Sequence, residues 1–204
     1  GIPADNPFAA DGDPNTLDEI WAYGFRNPHR FSWDTGGDGK MLIGDIGEDN
    51  VEEVNLGQMG FNYGWNRREG TFLFDTNNPS VVFRLPTNDA ALGFTYPVAQ
   101  YDHDEGSAIV GGFVYRGASV PALIGDYVFG DIRNGRIFHV DADNLVDGSQ
   151  ATIEELTLFD TNSIEVTLLD ITPGNRVDLR FGIDQQDEIY VMSKSNGKIW
   201  RMDF

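Results

Sequence analysis

Two segments of this chain, 62 residues apart, repeat one another. "NGRIFHVD" begins at Asn134 and "NGKIWRMD" at Asn196; at the same spacing "DYVFGDIR" from Asp126 stands opposite "EIYVMSKS" from Glu188. Each copy reads as strand, Asn-Gly turn, strand, and Asn-Gly is the strongest short hairpin signal because both residues tolerate the positive φ of a tight turn. A looser third copy, "KMLIGDIGEDNVEEVNL" from Lys40, shares Gly-Asp-Ile with "FGDIRNGRIFHV" and carries a longer turn. Upstream, "RFSWD" (Arg30 to Asp34) matches "RFGID" (Arg180 to Asp184), and "GGFVYRG" (Gly111 to Gly117) fills the same slot in the middle copy. A unit repeated in this way cannot bury its apolar faces alone, so the copies must stack. Short antiparallel strands recurring at roughly 40 to 60 residues spell a β-propeller. A β-sandwich, whose hairpins also resemble one another, is the competing architecture.

The punctuation is that of an all-β chain. Its 24 glycines and 9 prolines separate short apolar runs rich in Val, Ile, Phe and Tyr, the pattern of strands bounded by turns. Thr16 to Tyr23 is the one stretch with helical character and, being short, is read as a loop. Three units cannot close a ring, which takes at least four blades. One domain, 1–204, covering about three blades is therefore expected, its open edges needing further polypeptide or a second copy. Gly70 to Tyr101, with "FDTNNPS" and "LPTNDAALG", matches no blade and is expected to be a loop insertion, a common place for binding contacts.

Charge narrows the partners. With 14 Lys+Arg against 33 Asp+Glu the formal net charge is -19, which repels nucleic acid and anionic membrane surfaces. Only Lys40, Lys194 and Lys198 are lysines and eleven cations are arginine, a balance suited to salty surroundings. The absence of cysteine excludes disulfides and thiolate metal sites. No apolar run approaches the roughly 20 residues of a membrane span, so membrane insertion is not expected. The chain opens on "GIPADNPF", without a signal peptide, and is read as a product that starts partway through a longer protein.

Familiar catalytic signatures are missing: no Gly-x-Gly-x-x-Gly after a strand, no phosphate loop, no Gly-x-Ser-x-Gly elbow and no His-Glu-x-x-His. "DADNLVDG" from Asp141 has acidic spacing but fails the calcium-loop pattern, with Leu145 at the fifth position and Thr152 at the twelfth. The unusual run is "EIWAYGFRNPHRFSWD", Glu19 to Asp34, where Arg26, Asn27 and Pro28 interrupt a stretch dense in aromatics. Such an arginine either faces a ligand or sits in a buried ion pair with one of the many carboxylates.

Together "EIWAYGFRNPHRFSWD", "GDIGEDNVEEVNL", "GFNYGWNRREGT", "YDHDEGSAIVGGFVYRG" and "LIGDYVFGDIRNGRIF" resemble, in order and over most of the chain, the glucose/sorbosone dehydrogenase family. These are six-bladed propeller sugar dehydrogenases that use pyrroloquinoline quinone (PQQ) and calcium, and the chain resembles their C-terminal half. The same segments resemble the propeller of hedgehog-interacting proteins, which bind a protein partner. The first resemblance implies cofactor contacts from Arg26 and Asn27, from Arg133 in place of a family lysine, and from Arg176 on the last blade. It implies backbone ligation of calcium at Gly47 and Glu48, where "GDIGED" departs from the family's usual Gly-Pro. Arginine makes bidentate bonds to carboxylates such as the three on this quinone.

His103, between Asp102 and Asp104, is the candidate substrate contact, its charge favoured by those two carboxylates. His29 and His139 are read as structural, and Phe61, Tyr63 and Trp65 as filling between blades. The family's general base, a histidine of the N-terminal half, has no match here. The first expectation is thus PQQ- and calcium-dependent oxidation of an aldose at its anomeric carbon, periplasmic or secreted, with the base supplied by a missing N-terminal half. A non-catalytic extracellular protein- or carbohydrate-binding propeller is the second, and a calcium-dependent lactonase the third. Converging cations on the central channel favour the quinone; converging carboxylates favour the lactonase.

Overall fold

Each copy is one antiparallel sheet in the computed structural model, which describes residues 1–9 and 11–203. The first sheet opens with β1 (Pro28–Trp33), β2 (Met41–Asp45) and β3 (Val51–Leu56). Pro28 starts β1, where a missing N–H costs the ladder least. The chain then builds a small sheet from β4 (Arg68–Glu69), β5 (Phe72–Phe74) and β6 (Val82–Phe83). It returns as β7 (Ala99–Asp102), which pairs with β3 and completes a blade ordered β1-β2-β3-β7. The second blade is β8 (Ile109–Val114), β9 (Asp126–Asp131), β10 (Ile137–Asp141) and β11 (Glu154–Glu155). A hairpin of β12 (Leu158–Phe159) and β13 (Glu165–Val166) and a single helical turn, α1 (Leu168–Ile171), lead to the third. That blade comprises β14 (Leu179–Ile183), β15 (Ile189–Ser193) and β16 (Lys198–Arg201). The architecture is a β-propeller, of which the chain supplies three blades.

Two details differ from the sequence expectation. Gly70 to Tyr101 is not a plain loop insertion. It contributes β5 and β6, and its end belongs to the first blade, because Ala99 and Tyr101 alternate into the core as an outer strand. Nor are the Asn-Gly pairs two-residue turns. Asp131 N–H donates to Arg136 O (3.0 Å) and Ser193 pairs with Lys198, so each pair closes a four-residue loop. Only the glycines, Gly135 and Gly197, take a left-handed φ, of 76° and 72°. The asparagines instead accept, at 2.9 Å, the N–H two residues on, from Arg136 and Lys198.

The first strands β1, β8 and β14 pack side by side along the inner edge. Between blades lie two cores. Tyr101, Ile109, Val114, Tyr127, Phe129, Phe138 and Val140 fill the first, with Leu42 and Val54. Val110, Tyr115, Val128 and Ile137 fill the second, with Leu179, Ile189 and Val191. The middle blade therefore buries both faces, one residue to each side in turn. The outer flanks of the first and third blades lack such cover: Phe31 and Trp33 are each 54% exposed and Ile199 is 64% exposed. Among the described residues no helix is long and apolar enough to cross a membrane.

Candidate functional site

Strands alternate in direction, so the segments entering β1, β8 and β14 emerge at the same end as the loops closing β2–β3, β9–β10 and β15–β16. The candidate cofactor, metal and substrate residues Arg26, Asn27, Gly47, Glu48, His103, Arg133 and Arg176 lie in these segments. Carboxylates anchor them. The Arg26 and Asn27 N–H groups donate to Asp45 Oδ2 and Oδ1 at 3.0 and 2.6 Å. The Ser107 and Ala108 N–H groups donate to Asp131 Oδ2, both at 2.7 Å.

With its backbone pinned, Arg26 turns its guanidinium onto the β2–β3 loop. Nη1 donates to the Ile46 carbonyl at 3.1 Å, and Nε and Nη2 both engage Glu48 Oε2. Its guanidinium carbon lies 5.8 Å from the Trp65 ring centre. Arg26 is thus an ion-pair partner, of a glutamate rather than an aspartate, and both side chains are partly exposed, at 27% and 36%. The Asn27 side chain is exposed beside it.

Glu69, 1% exposed, shapes the loop that carries Gly47 and Glu48. Its Oε1 accepts the N–H groups of Glu48, Asp49, Asn50 and Val51 at 2.8, 3.1, 2.9 and 3.2 Å. In a trans peptide the C=O points opposite the next N–H, so the Gly47, Glu48 and Asp49 carbonyls face away from the buried carboxylate. Any side chain at Gly47 would collide with the Val51 carbonyl and Glu69. These outward carbonyls and the Glu48 carboxylate are hard oxygen donors of the kind calcium takes. Among the described residues no group of three or more His, Cys, Asp or Glu side chains forms a metal centre, so any cation would rest mainly on backbone oxygens.

His103 does not use its neighbours. Asp102 and Asp104 point to solvent, while His103 Nε2 meets Glu52 Oε1 at 3.0 Å. Glu52 is fully buried, accepts the Ile109 N–H at 2.8 Å, and has its pKa pushed up to about 7 by burial. Arg133 is exposed, and its Nη1 reaches Ser107 Oγ at 3.3 Å. Arg176, 53% exposed, pairs with Asp178.

Sequence reasoning missed the cations on the inner strands. Arg30 of β1 and Arg180 of β14 hydrogen-bond backbone carbonyls, those of His29 (3.2 Å) and Leu179 (2.6 Å), and form no ion pair. Burial lowers the Arg180 pKa, and the Arg30 charge lowers it further. His29 is lowered by burial, Arg30 and Arg180, and its buried Nε2 has no hydrogen-bond partner. The signal was visible in the chain: "RFSWD" and "RFGID" each start with arginine at the first strand of a blade.

A second missed group lies on the flank of the first blade. Glu53 sits directly across from Asp45, accepts from Gly70 N–H (2.6 Å) and Asn55 Nδ2 (2.9 Å), and is pushed up to about 8 by burial and by Asp45. Burial pushes Asp45 up to about 6. The doublet Glu52-Glu53 inside "VEEVNL" was the clue, since carboxylates are seldom fully buried without partners.

Comparison with known proteins places this geometry. The pattern of the Glucose / Sorbosone dehydrogenase family matches residues 1–201. HIPL2 protein of Arabidopsis thaliana is 39% identical over 137 residues, covering 64% of this chain and 19% of that protein. HIPL1 protein of the same plant is 33% identical over 207 residues, covering 96% and 29%. A glucose dehydrogenase crystal structure matches all of this chain and 51% of its own at TM-score 0.66 and 20% identity. The PQQ-bound Aldose Sugar Dehydrogenase (Adh) from Streptomyces coelicolor matches at TM-score 0.58 and 20% identity, covering 96% of this chain and 48% of its own. The chain spans less than a third of those curated relatives and about half of the solved chains. By its match over residues 1–201, this chain belongs to the glucose/sorbosone dehydrogenase family.

Proposed function

We propose that these three blades are the C-terminal half of a periplasmic or secreted propeller that oxidises an aldose at its anomeric carbon with PQQ and calcium. The observation that carries this is the placement of Arg30 and Arg180, cations without carboxylate partners on the inner strands of a chain with net charge -19. The half-buried Arg180 guanidinium, with the exposed Arg30 beside it and no carboxylate paired to either, suits an anion, and bidentate binding of carboxylates is what guanidinia do best. Among the described residues no group of three or more carboxylates or histidines converges there, as a lactonase would need. When bound, the quinone would accept the hydride leaving the sugar.

Arg30, Arg180, Arg133 and Arg176 would hold its carboxylates, with Arg26 and Asn27 at the rim. The outward carbonyls of Gly47 and Glu48 would face calcium. His103, fixed by Glu52, would orient a sugar hydroxyl, and the base would come from the missing half. That half would also cover Phe31, Trp33 and Ile199. The PQQ-bound relative of the same fold supports this reading.

The pairing of Arg26 with Glu48 and of Arg176 with Asp178 favours a second reading, a non-catalytic extracellular binding propeller. Fluorescence titration of PQQ with calcium, on a polypeptide carrying the preceding blades, separates the two. Loss of affinity by about 10- to 150-fold in Arg180→Ala supports the dehydrogenase. Absence of saturable PQQ binding supports the binding module.

A further inference from the structure

The chain contains two Asn-Gly steps, Asn134-Gly135 and Asn196-Gly197, on equivalent loops of the second and third blades. Asn-Gly is chemically labile, because glycine, with no Cβ, lets its main-chain nitrogen approach the Asn side-chain carbonyl closely. In both loops that nitrogen is engaged: the Gly135 N–H donates to Asp131 O at 3.1 Å and the Gly197 N–H to Ser193 O at 2.9 Å. Reaction therefore waits on local opening of the loop, and the two loops differ in what holds them shut. Around Gly135 the chain is tied down. The Asn134 N–H donates to Asp131 Oδ1 at 2.9 Å, its Nδ2 donates to the Glu105 carbonyl at 2.8 Å, and the Val177 N–H donates to the Arg133 carbonyl at 2.9 Å. Gly135 is buried, and a side chain there would strike Val177 and Leu168. Gly197 is exposed, and a side chain there would meet nothing within 4 Å. Asn196 Oδ1 accepts the Lys198 N–H at 2.9 Å. Its Nδ2, though buried, has no hydrogen-bond partner among the described residues, so freeing it breaks no bond.

We propose that Asn196 is a modification site, converting spontaneously to isoaspartate in the folded chain, whereas Asn134 is protected by the same fold. The Gly197 nitrogen loses its proton and bonds to Asn196 Cγ, Nδ2 leaves as ammonia, and water opens the resulting cyclic imide at either carbonyl. Opening at the main-chain carbonyl routes the chain through the former side chain. The loop then gains one main-chain carbon and a free carboxylate, and the Oδ1 that the Lys198 N–H uses is displaced. Lys198 begins β16, the last strand of its sheet, which is then held less firmly against β15. The third blade thus carries a chemical clock at its outer edge that the second blade lacks. None of this rests on the quinone reading.

The test is incubation of the chain, alone and with the preceding blades attached, in mildly alkaline buffer, followed by peptide mapping that separates asparagine, aspartate and isoaspartate. In the native protein Asn196 should convert at least about tenfold faster than Asn134, which equals a difference of about 1.4 kcal/mol in loop opening. In concentrated urea, where neither loop exists, the two sites should convert at like rates. The Lys198 amide should exchange with solvent deuterium faster in converted than in unconverted protein. Equal conversion at both sites of the native protein, faster conversion of Asn134, no conversion of Asn196, or an Asn196 preference that persists in urea would each overturn the assignment. Unchanged Lys198 exchange would overturn the loosening of β16.

Discussion

Asp45 and Asp131 hold successive blades in the same way: each ends the second strand of its blade, and each carboxylate takes two consecutive N–H groups of the segment entering the first strand. Asp131 does more, since its Oδ1 also accepts the Arg133 and Asn134 N–H groups at 2.8 and 2.9 Å. Asp131→Ala leaves four donors unpaired at a fully buried position and is expected to cost about 3–5 kcal/mol. Asp131→Asn should retain part of that. Urea denaturation measures it, and a loss below about 1 kcal/mol would show that water or a shifted loop replaces the carboxylate.

The Arg26–Glu48 pair carries a different expectation. Both side chains are partly exposed, so Glu48→Gln should change stability by at most about 1 kcal/mol. Its effect on a polycarboxylate ligand should be larger, because Glu48 occupies the guanidinium that the ligand needs. PQQ affinity should rise about threefold or more in Glu48→Gln and fall in Arg26→Ala. Equal affinity in both variants and the parent would place Arg26 outside the binding site.

The flank carboxylates set a pH dependence. Glu53 has a folded pKa of about 8 against an ordinary 4.5, so between those values the folded chain keeps a proton that the unfolded chain has lost. Stability from this group is full below about pH 4.5, declines as pH rises, and is gone above about pH 8. Glu53→Gln, neutral throughout, should flatten the curve and raise the melting temperature by on the order of several degrees at pH 9, with little change at pH 5. Asp45 and Glu52, raised to about 6 and 7, leave a residual slope of the same sign. A variant whose profile parallels the parent's would mean that Glu53 is ionised in the fold.

Exposed Phe31 and Trp33, whose rings meet edge to face at 5.4 Å, form an apolar flank next to the inner edge. Replacing both with Ser should reduce self-association of the chain, read as sedimentation coefficient against concentration, with little loss of fold stability. Association unaffected by the double variant would assign the contact to another surface, such as that of Ile199.

The blades were legible because the repeat marks equivalent strands: Asn134 and Asn196 do fall on equivalent loops, and Arg30 and Arg180 on equivalent first strands. The exact turn was not, because Asn-Gly is compatible with either a two-residue or a four-residue loop, and only cross-strand pairing decides between them. Arg26, Arg133 and Arg176 lie together at one end of the blades, but the Arg26 partner was hidden, since its ion pair with Glu48 joins residues 22 positions apart. His103 was assigned to its neighbours Asp102 and Asp104, whereas the segment turns its ring inward to Glu52, 51 residues away along the chain.

The two-sided burial of the middle blade has a consequence for how its strands find their alignment. In most sheets a one-residue slip exposes apolar side chains to water, and polarity alone forbids it. Here a slip of β8 or β10 would only trade Ile109 for Val110, or Phe138 for Ile137, between two dry interiors. Polarity is blind to that error. Volume must discriminate instead, and so must places where no side chain fits: a methyl group at Gly112 would strike the Val128 carbonyl, and one at Gly130 the Arg136 carbonyl. These two glycines act as the indexing notches of the blade, and they leave its alignment sensitive to the gain of a single carbon atom.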